Sequence, residues 1–289
     1  MSIAQRLIGL AKPLVERFPF FAMVYRYVRD NRRVLDAPRE TPMGFRFIGN
    51  SLMEKGLFEP EETEIVRRVL ERVDVVVNVG ANIGYYCCLA LQRGKHVVAF
   101  EPMSGNLRCL YQNVLANRWD DRIEIFPIAL SDRIGMIQIF GGGTGASLVK
   151  GWAGTPEQYV EIVPTSTLDT VLGSRLSGRK CFVLVDIEGA ERLMLAGASS
   201  FLVQQPKPVW MVEISVAEHQ PQGTAINPHL LSTFQVFWDR GYEAWTADRR
   251  LRFVAPAEIE RIARTGENSL GTHNFLFIEQ GRMAAVLDS

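Results

Sequence analysis

Three carboxylates stand at the ends of two apolar runs, where buried strands would leave them facing a ligand. Asp186 ends the run Phe182-Val183-Leu184-Val185, Glu188 follows two residues on, and Gly189 lets the chain turn. Glu213 stands near the end of Val209-Trp210-Met211-Val212-Glu213-Ile214, followed by Ser215, Glu218 and His219. Charge at the end of a buried strand is costly unless it has a partner or a role. Carboxylates on neighbouring strand ends could bind Mg²⁺ or Mn²⁺. They could equally orient a substrate hydroxyl and accept its proton. His219 is the alternative base, because an imidazole exchanges protons near neutral pH. Glu191, which opens the helix after Gly189, reads as a cap on the positive end of that helix.

A second constellation supplies a pocket. The β-branched run Val75-Val76-Val77-Asn78-Val79 ends in Gly80-Ala81-Asn82-Ile83-Gly84, which opens into the apolar helix Tyr85–Leu91. Glycines after a strand allow close backbone approach, and the helix behind them offers N–H groups to a ligand. A further strand, His96–Phe100, stops on Glu101, placed to accept the hydroxyls of a ribose. The pocket is therefore one for a nucleoside cofactor. A nicotinamide dinucleotide needs three glycines in G-x-G-x-x-G, and only Gly80 and Gly84 are present; no Gly-Lys-Ser/Thr follows, which excludes a P-loop. S-adenosylmethionine has a ribose but no phosphate, and suits the loop as written.

The elements that must position these residues alternate. Strands are expected at Val73–Val79, His96–Phe100, Ile123–Pro127, Phe182–Ile187 and Val209–Ile214, and helices at Ile83–Arg93, Ser104–Asn117, Glu191–Gly197 and Pro228–Arg240. Pro60-Glu61-Glu62 starts a helix ahead of them, with proline in its first turn. Alternation of this kind predicts a parallel, doubly wound α/β sheet with ligands at the carboxyl ends of its strands. Between Ile128 and Lys180 the alternation lapses into a hairpin-like insert: strand-like Ile134–Phe140, the glycine run Gly141–Gly145 as a mobile loop, then strand-like Tyr159–Pro164. A loop of that length over a pocket is often a lid. Tyr242–Thr246 and Asn274–Ile278 read as a terminal pair adding an antiparallel edge.

Residues 1–45 differ in character, with eight Arg or Lys against four acids and a cluster of aromatic and aliphatic residues broken by Pro13 and Pro19. This basic helical segment fits a lid, a contact with a partner subunit in a homo-oligomer, or a peripheral element on an anionic membrane surface. The domain proper is expected over 46–289. The whole chain of 289 residues has 32 basic and 32 acidic residues, so it lacks the basic surplus of a nucleic-acid binder. Its 47% hydrophobic and 22% charged residues are those of a globular protein. Cys87, Cys88, Cys109 and Cys181 form no C-x-x-C or zinc spacing, and read as buried thiols in a reducing compartment. With no secretory leader pattern and no apolar run near the ~20 residues of a membrane span, the expected location is cytoplasmic, with the inner membrane face as its fringe.

Taken in order, Asn78-Val79-Gly80-Ala81-Asn82-Ile83-Gly84, Phe100-Glu101-Pro102, Ala129-Leu130-Ser131-Asp132, Thr167-Leu168-Asp169 and Val185-Asp186-Ile187-Glu188-Gly189-Ala190-Glu191 resemble the FkbM-type methyltransferases. The resemblance spans about residues 70–215, with an echo in Asn274–Ile278. It implies a class I methyltransferase fold, Rossmann-like, with a seven-stranded sheet using S-adenosylmethionine. It also implies O-methylation of a hydroxyl on a sugar, glycolipid or secondary metabolite. By the same resemblance, Gly80, Ala81, Asn82 and Gly84 support the cofactor's methionine end. Glu101, with Pro102 behind it, takes the ribose; Ala129, Leu130 and Ser131 lie beside the adenine; and Asp186 sits near the reacting methyl. The chain departs from the family at Asn78, where an acid is usual. An amide keeps hydrogen bonding but loses attraction for the methionine ammonium, so weaker cofactor affinity is expected. Two rival readings remain: a binding or scaffold protein on an inactive methyltransferase fold, for which Asn78 speaks, and a nicotinamide-dependent oxidoreductase.

Overall fold

The computed structural model describes residues 37–155 and 158–287. In chain order the elements are β1 (Arg39–Glu40), β2 (Arg46–Phe47), α1 (Ser51–Glu54), α2 (Pro60–Leu70), β3 (Val75–Val79), α3 (Tyr85–Gln92), β4 (His96–Phe100), α4 (Ser104–Ala116), β5 (Ile123–Phe126) and β6 (Ala129–Leu130). They continue with β7 (Gly135–Phe140), β8 (Val160–Ser166), α5 (Leu168–Leu172), β9 (Cys181–Val185), α6 (Glu191–Ala196), β10 (Val209–Glu213), α7 (Leu230–Trp238), β11 (Tyr242–Thr246), β12 (Phe253–Val254), α8 (Pro256–Thr265), β13 (Asn274–Glu279) and α9 (Met283–Leu287).

The main sheet runs β12-β11-β13-β10-β9-β3-β4-β5. Strands β10, β9, β3, β4 and β5 are mutually parallel, and β13 lies antiparallel between β10 and β11. This is the doubly wound α/β architecture with the antiparallel edge. The count is eight rather than seven, because two-residue β12 pairs antiparallel with the outer edge of β11. The central strands β3 and β9 are buried at every residue, which is why they read as unbroken apolar runs. Their odd and even residues feed two separate cores. Val75, Val77 and Val79 pack with residues of α5, α6, α7 and α8 on one face. Val76 packs with residues of α2, α3 and α4 on the other.

Element ends differ from expectation by at most two residues. β9 stops at Val185, so Asp186 lies just past the strand and not within it. Helix α8 has no counterpart among the expected elements. The insert is more ordered in its pairing than a plain hairpin: β7 and β8 are antiparallel, and β6 joins β8 to make a separate three-stranded sheet. Within the glycine run, Gly143–Gly145 forms a short 3-10 turn. A small apolar cluster of Met103, Ala129, Ile139 and Val163 fixes this sheet against the main body. At the N-terminal side, β1 pairs with β2, so a hairpin straddles the expected boundary at residue 45. The basic segment before it, residues 1–36, lies outside the described residues. Among the described residues no helix is long and apolar enough to cross a membrane. All four cysteines are buried, and burial pushes the Cys87 thiol up to about 12.

Candidate active site

Two clefts meet at the carboxyl ends of the parallel strands, and Gly80, Asn82 and Asp186 border both. What brings them together is one tight crossing. Gly80, at φ +81, lies so near the end of β9 that a Cβ on it would sit 1.8 Å from the Asp186 carbonyl oxygen. The Asp186 N–H in turn donates to the Val79 carbonyl at 3.0 Å. Only glycine fits there, for both conformational and steric reasons. Gly84 serves packing instead. A Cβ there would come 2.3 Å from Leu110, so Gly84 lets α3 seat on α4, and it lines neither cleft.

The first cleft spans about 560 Å³, the open solvent at its mouth included. One wall is apolar, built from Met103, Ile128, Ala129, Leu130, Ile139 and Leu148, with the insert as its roof. Glu101 forms the polar wall, with Pro102 beside it. The Asn82 N–H donates to Glu101 Oε2 at 2.8 Å, and the Met103 N–H to Oε1 at 2.8 Å. Asn106 Nδ2 reaches Oε1 at 3.2 Å and the Gly143 carbonyl at 2.9 Å. Burial outweighs these donors and pushes Glu101 up to about 7. A carboxylate has about four acceptor sites, so one remains open to a ribose hydroxyl. A second opens if Asn106 gives its hydrogen wholly to Gly143. Apolar slot, buried acid and close-packed glycine together fit the adenosine half of S-adenosylmethionine.

The glycine loop itself does not offer its amides as expected. Gly80 and Ala81 N–H both donate to the Phe100 carbonyl, Asn82 N–H to Glu101, and Ile83 N–H to the Asn82 side chain. Its N–H groups hold the loop in place, which leaves its shape and Glu101 as what it can offer a ligand. Ser131 is fully buried, donating from its N–H to Ser166 and from its hydroxyl to Asp132. Ala129 and Leu130 alone of that trio reach the cleft.

The second cleft, about 530 Å³, is lined by Asn78, Ala81, Glu59, Tyr86, Asp186, Glu213 and Asn274 among others. Tyr86 donates its hydroxyl to Glu59 at 2.5 Å. Asp186 and Glu213 share a hydrogen bond between their carboxyls. Asp186 is exposed to solvent through the two clefts, with the protein body packed behind it. Burial, then the negative charges of Glu188, Glu59 and Glu191, hold it well above the usual carboxylate range. Burial and the charge of Asp186 do the same to Glu213. Two acids placed this close resist ionising together. Asn78, buried, donates its amide toward Cys87 Sγ at 3.4 Å. In a cleft already holding three carboxyl groups an amide there costs less than a further acid would.

Glu188 lines the first cleft in a left-handed conformation, φ +54, and accepts from Trp152 Nε1 at 2.7 Å. Glu191 is buried in the first turn of α6 and accepts the Gly189 N–H at 2.9 Å, ahead of the helix; it does not cap α6, which has no side-chain cap. His219 is exposed on the far side of Trp152, its ring centre 6.1 Å from the indole, and lines neither cleft. The expectation of a Mg²⁺ or Mn²⁺ site finds no ligand set: among the described residues no three His, Cys, Asp or Glu side chains are placed to hold a metal. Sequence reasoning misses Glu59, Tyr86, Asn106, Trp152 and Asn274. Glu59 and Tyr86 read as a helix entry and a helix interior, with no spacing to tie either to Asp186.

The model of the methyltransferase FkbM domain matches residues 78–244, more than half of the chain. The protein belongs to the FkbM methyltransferase family. It is accordingly an S-adenosylmethionine-dependent methyltransferase. No curated protein matches the sequence. Among solved structures it is similar to precorrin-6y C5,15-methyltransferase from Geobacter metallireducens GS-15, at 9% identity and a TM-score of 0.42, covering 81% of this chain and 93% of that one. It is also similar to cofactor-bound Rv0187 from MTB, at 11% identity and a TM-score of 0.42, covering 89% of this chain and 88% of that one.

Proposed function

We propose that this methyltransferase acts on oxygen, methylating a hydroxyl of a sugar, glycolipid or secondary metabolite. The observation that supports this most is the hydrogen-bonded pair Asp186 and Glu213, with Asp186 on the wall common to both clefts. A neutral hydroxyl must lose a proton as it is methylated, and a carboxylate with a raised pKa is a better base near neutral pH than an ordinary one. The bound cofactor supplies an electrophilic methyl on a sulfonium sulfur. Glu101 holds the ribose, and Met103, Ile128, Ala129 and Leu130 enclose the adenine. Asp186, once deprotonated, takes the hydroxyl proton as the carbon–oxygen bond forms and the carbon–sulfur bond breaks. Glu213 steadies the resulting carboxyl by the hydrogen bond already between them. In the second cleft Tyr86, Glu59, Asn78 and Asn274 present hydroxyl, carboxylate and amide groups, the set that recognises a polyhydroxylated acceptor. Alignment of acceptor and methyl supplies most of the rate, and the base a further ~10²–10⁴-fold.

The test is transfer of labelled methyl to a panel of glycans, glycolipids and hydroxylated metabolites, with products located by mass spectrometry. Methyl on oxygen supports the reading; methyl on carbon or nitrogen overturns it, and no transfer to any acceptor favours a scaffold. With an acceptor in hand, Asp186→Asn should lose on the order of 10²-fold in kcat while keeping most cofactor affinity.

A further inference from the structure

Trp152 lies in the insert, is 3% exposed, and lines neither cleft. Its surroundings tie together three loops at the mouth of the cofactor cleft. Its indole N–H donates to Glu188 Oε2 at 2.7 Å. Its ring is packed flush against Gly189, where a Cβ would come 2.5 Å from the six-membered ring. The neighbouring Ala153 N–H donates to the His219 carbonyl at 2.8 Å, fixing the loop after β10 to the same point. Ser147, also in the insert, donates its hydroxyl to the Glu188 carbonyl. The insert thus holds Glu188 by both its side chain and its backbone, in a left-handed turn that costs energy for a residue other than glycine. The same insert roofs the adenine end of the cleft and is fastened to Glu101 through Asn106.

We propose that Trp152 is a positioning residue, which fixes the Glu188 carboxylate beside Asp186 at the cofactor's sulfonium end and couples that end of the cleft to the insert roofing the other. The proposal rests on the reading of this cleft as the S-adenosylmethionine site. A buried indole N–H seeks one acceptor, and here that acceptor is a carboxylate that also borders the cleft. Remove the N–H and Glu188 is free to turn away from the cleft, taking a negative charge from the sulfonium. The uncharged thioether S-adenosylhomocysteine, alike in adenosine and amino-acid parts, has no such charge to lose. A merely structural role for Trp152 would weaken both ligands equally.

The experiment is calorimetry with S-adenosylmethionine and S-adenosylhomocysteine on wild type, Trp152→Phe and Glu188→Gln, together with ¹⁵N-indole NMR of the full chain. In Trp152→Phe the ratio of S-adenosylmethionine to S-adenosylhomocysteine affinity should fall about three- to tenfold, the size of one partly solvated charge contact. S-adenosylhomocysteine affinity itself should change less than about twofold, since no contact to it is removed. Glu188→Gln should reproduce the fall. The indole resonance that Trp152→Phe deletes should shift in Glu188→Gln, and move when wild type is saturated with S-adenosylhomocysteine. Equal weakening of both ligands, or an indole resonance indifferent to Glu188→Gln, overturns the positioning role. Failure of the wild type to bind either ligand overturns the cofactor reading and the proposal with it. If Trp152→Phe does not fold, Glu188→Gln and the wild-type resonance decide.

Discussion

Asp186 and Glu213 are two neighbouring acids lining the clefts proposed for the sulfonium cofactor and its acceptor. Burial and the surrounding carboxylates, Glu188 and Glu59 among them, hold both well above the usual carboxylate range when no cofactor is bound. A sulfonium binds best to the ionised form, so its binding must displace protons. Affinity for S-adenosylmethionine should therefore rise with pH across the neutral range, by up to about tenfold per unit for each proton released. Affinity for the neutral S-adenosylhomocysteine should rise less. Asp186→Asn should flatten the difference between them. Calorimetry of both ligands between pH 6 and 9 measures this, and parallel curves in wild type would show that neither acid faces the sulfur. At this scale the sequence is most legible where one strand end carries one role. Asp186, Glu188, Glu213 and Glu101 follow from acids at the ends of apolar runs, and each borders a cleft. Tyr86, Glu59 and Trp152 are not legible. Their partners lie 27 and 36 positions away along the chain, across turns whose path only tertiary packing fixes.

At the scale of elements, the crossing of β3 and β9 positions everything else. Both strands are legible as β-branched or apolar runs, and their parallel pairing follows from the alternation with helices. The closeness of Gly80 to the Asp186 carbonyl, which a Cβ would meet at 1.8 Å, is not, since it depends on the register of two strands about a hundred residues apart. Gly80→Ala should cost about 2 kcal/mol or more, from its positive φ and from the clash with backbone that cannot move aside. By pushing the Asp186 carbonyl away it should also weaken binding of S-adenosylhomocysteine. Thermal unfolding and calorimetry together check both parts; an unperturbed melting temperature would mean the crossing is looser than described. Gly84→Ala makes the contrast, because its clash is with the flexible end of Leu110 and its cost should fall mainly on stability.

For the whole molecule, the acids of the site make the ligand-free protein prefer mild acid. Glu101 and Glu191 are pushed from an ordinary 4.5 up to about 7 in the folded state, chiefly by burial. The unfolded chain loses these protons first, so folding is favoured below about 4.5 and loses that stability as pH rises through 7. Each group should lower stability by on the order of 1–2 kcal/mol between pH 5.5 and 7.5. The ligand-free protein should thus melt higher at pH 5.5 than at 7.5, the reverse of a protein built on paired carboxylates. Glu101→Gln should remove part of this slope. A melting temperature that climbs with pH over that interval would show these acids to be better compensated than their burial implies.

Whether the cleft between Glu101 and Asp186 holds S-adenosylmethionine by its ribose is tested most directly by one titration. S-adenosylhomocysteine is titrated into wild type and Glu101→Ala at pH 8, where Glu101 is ionised. Hydrogen bonds to a charged group are each worth ~1.5–3 kcal/mol, so the variant should bind at least about tenfold more weakly. Its melting temperature without ligand should not fall enough to account for the loss. Equal affinity in a folded Glu101→Ala protein would contradict the account, placing the ribose away from the buried acid beside the apolar adenine slot.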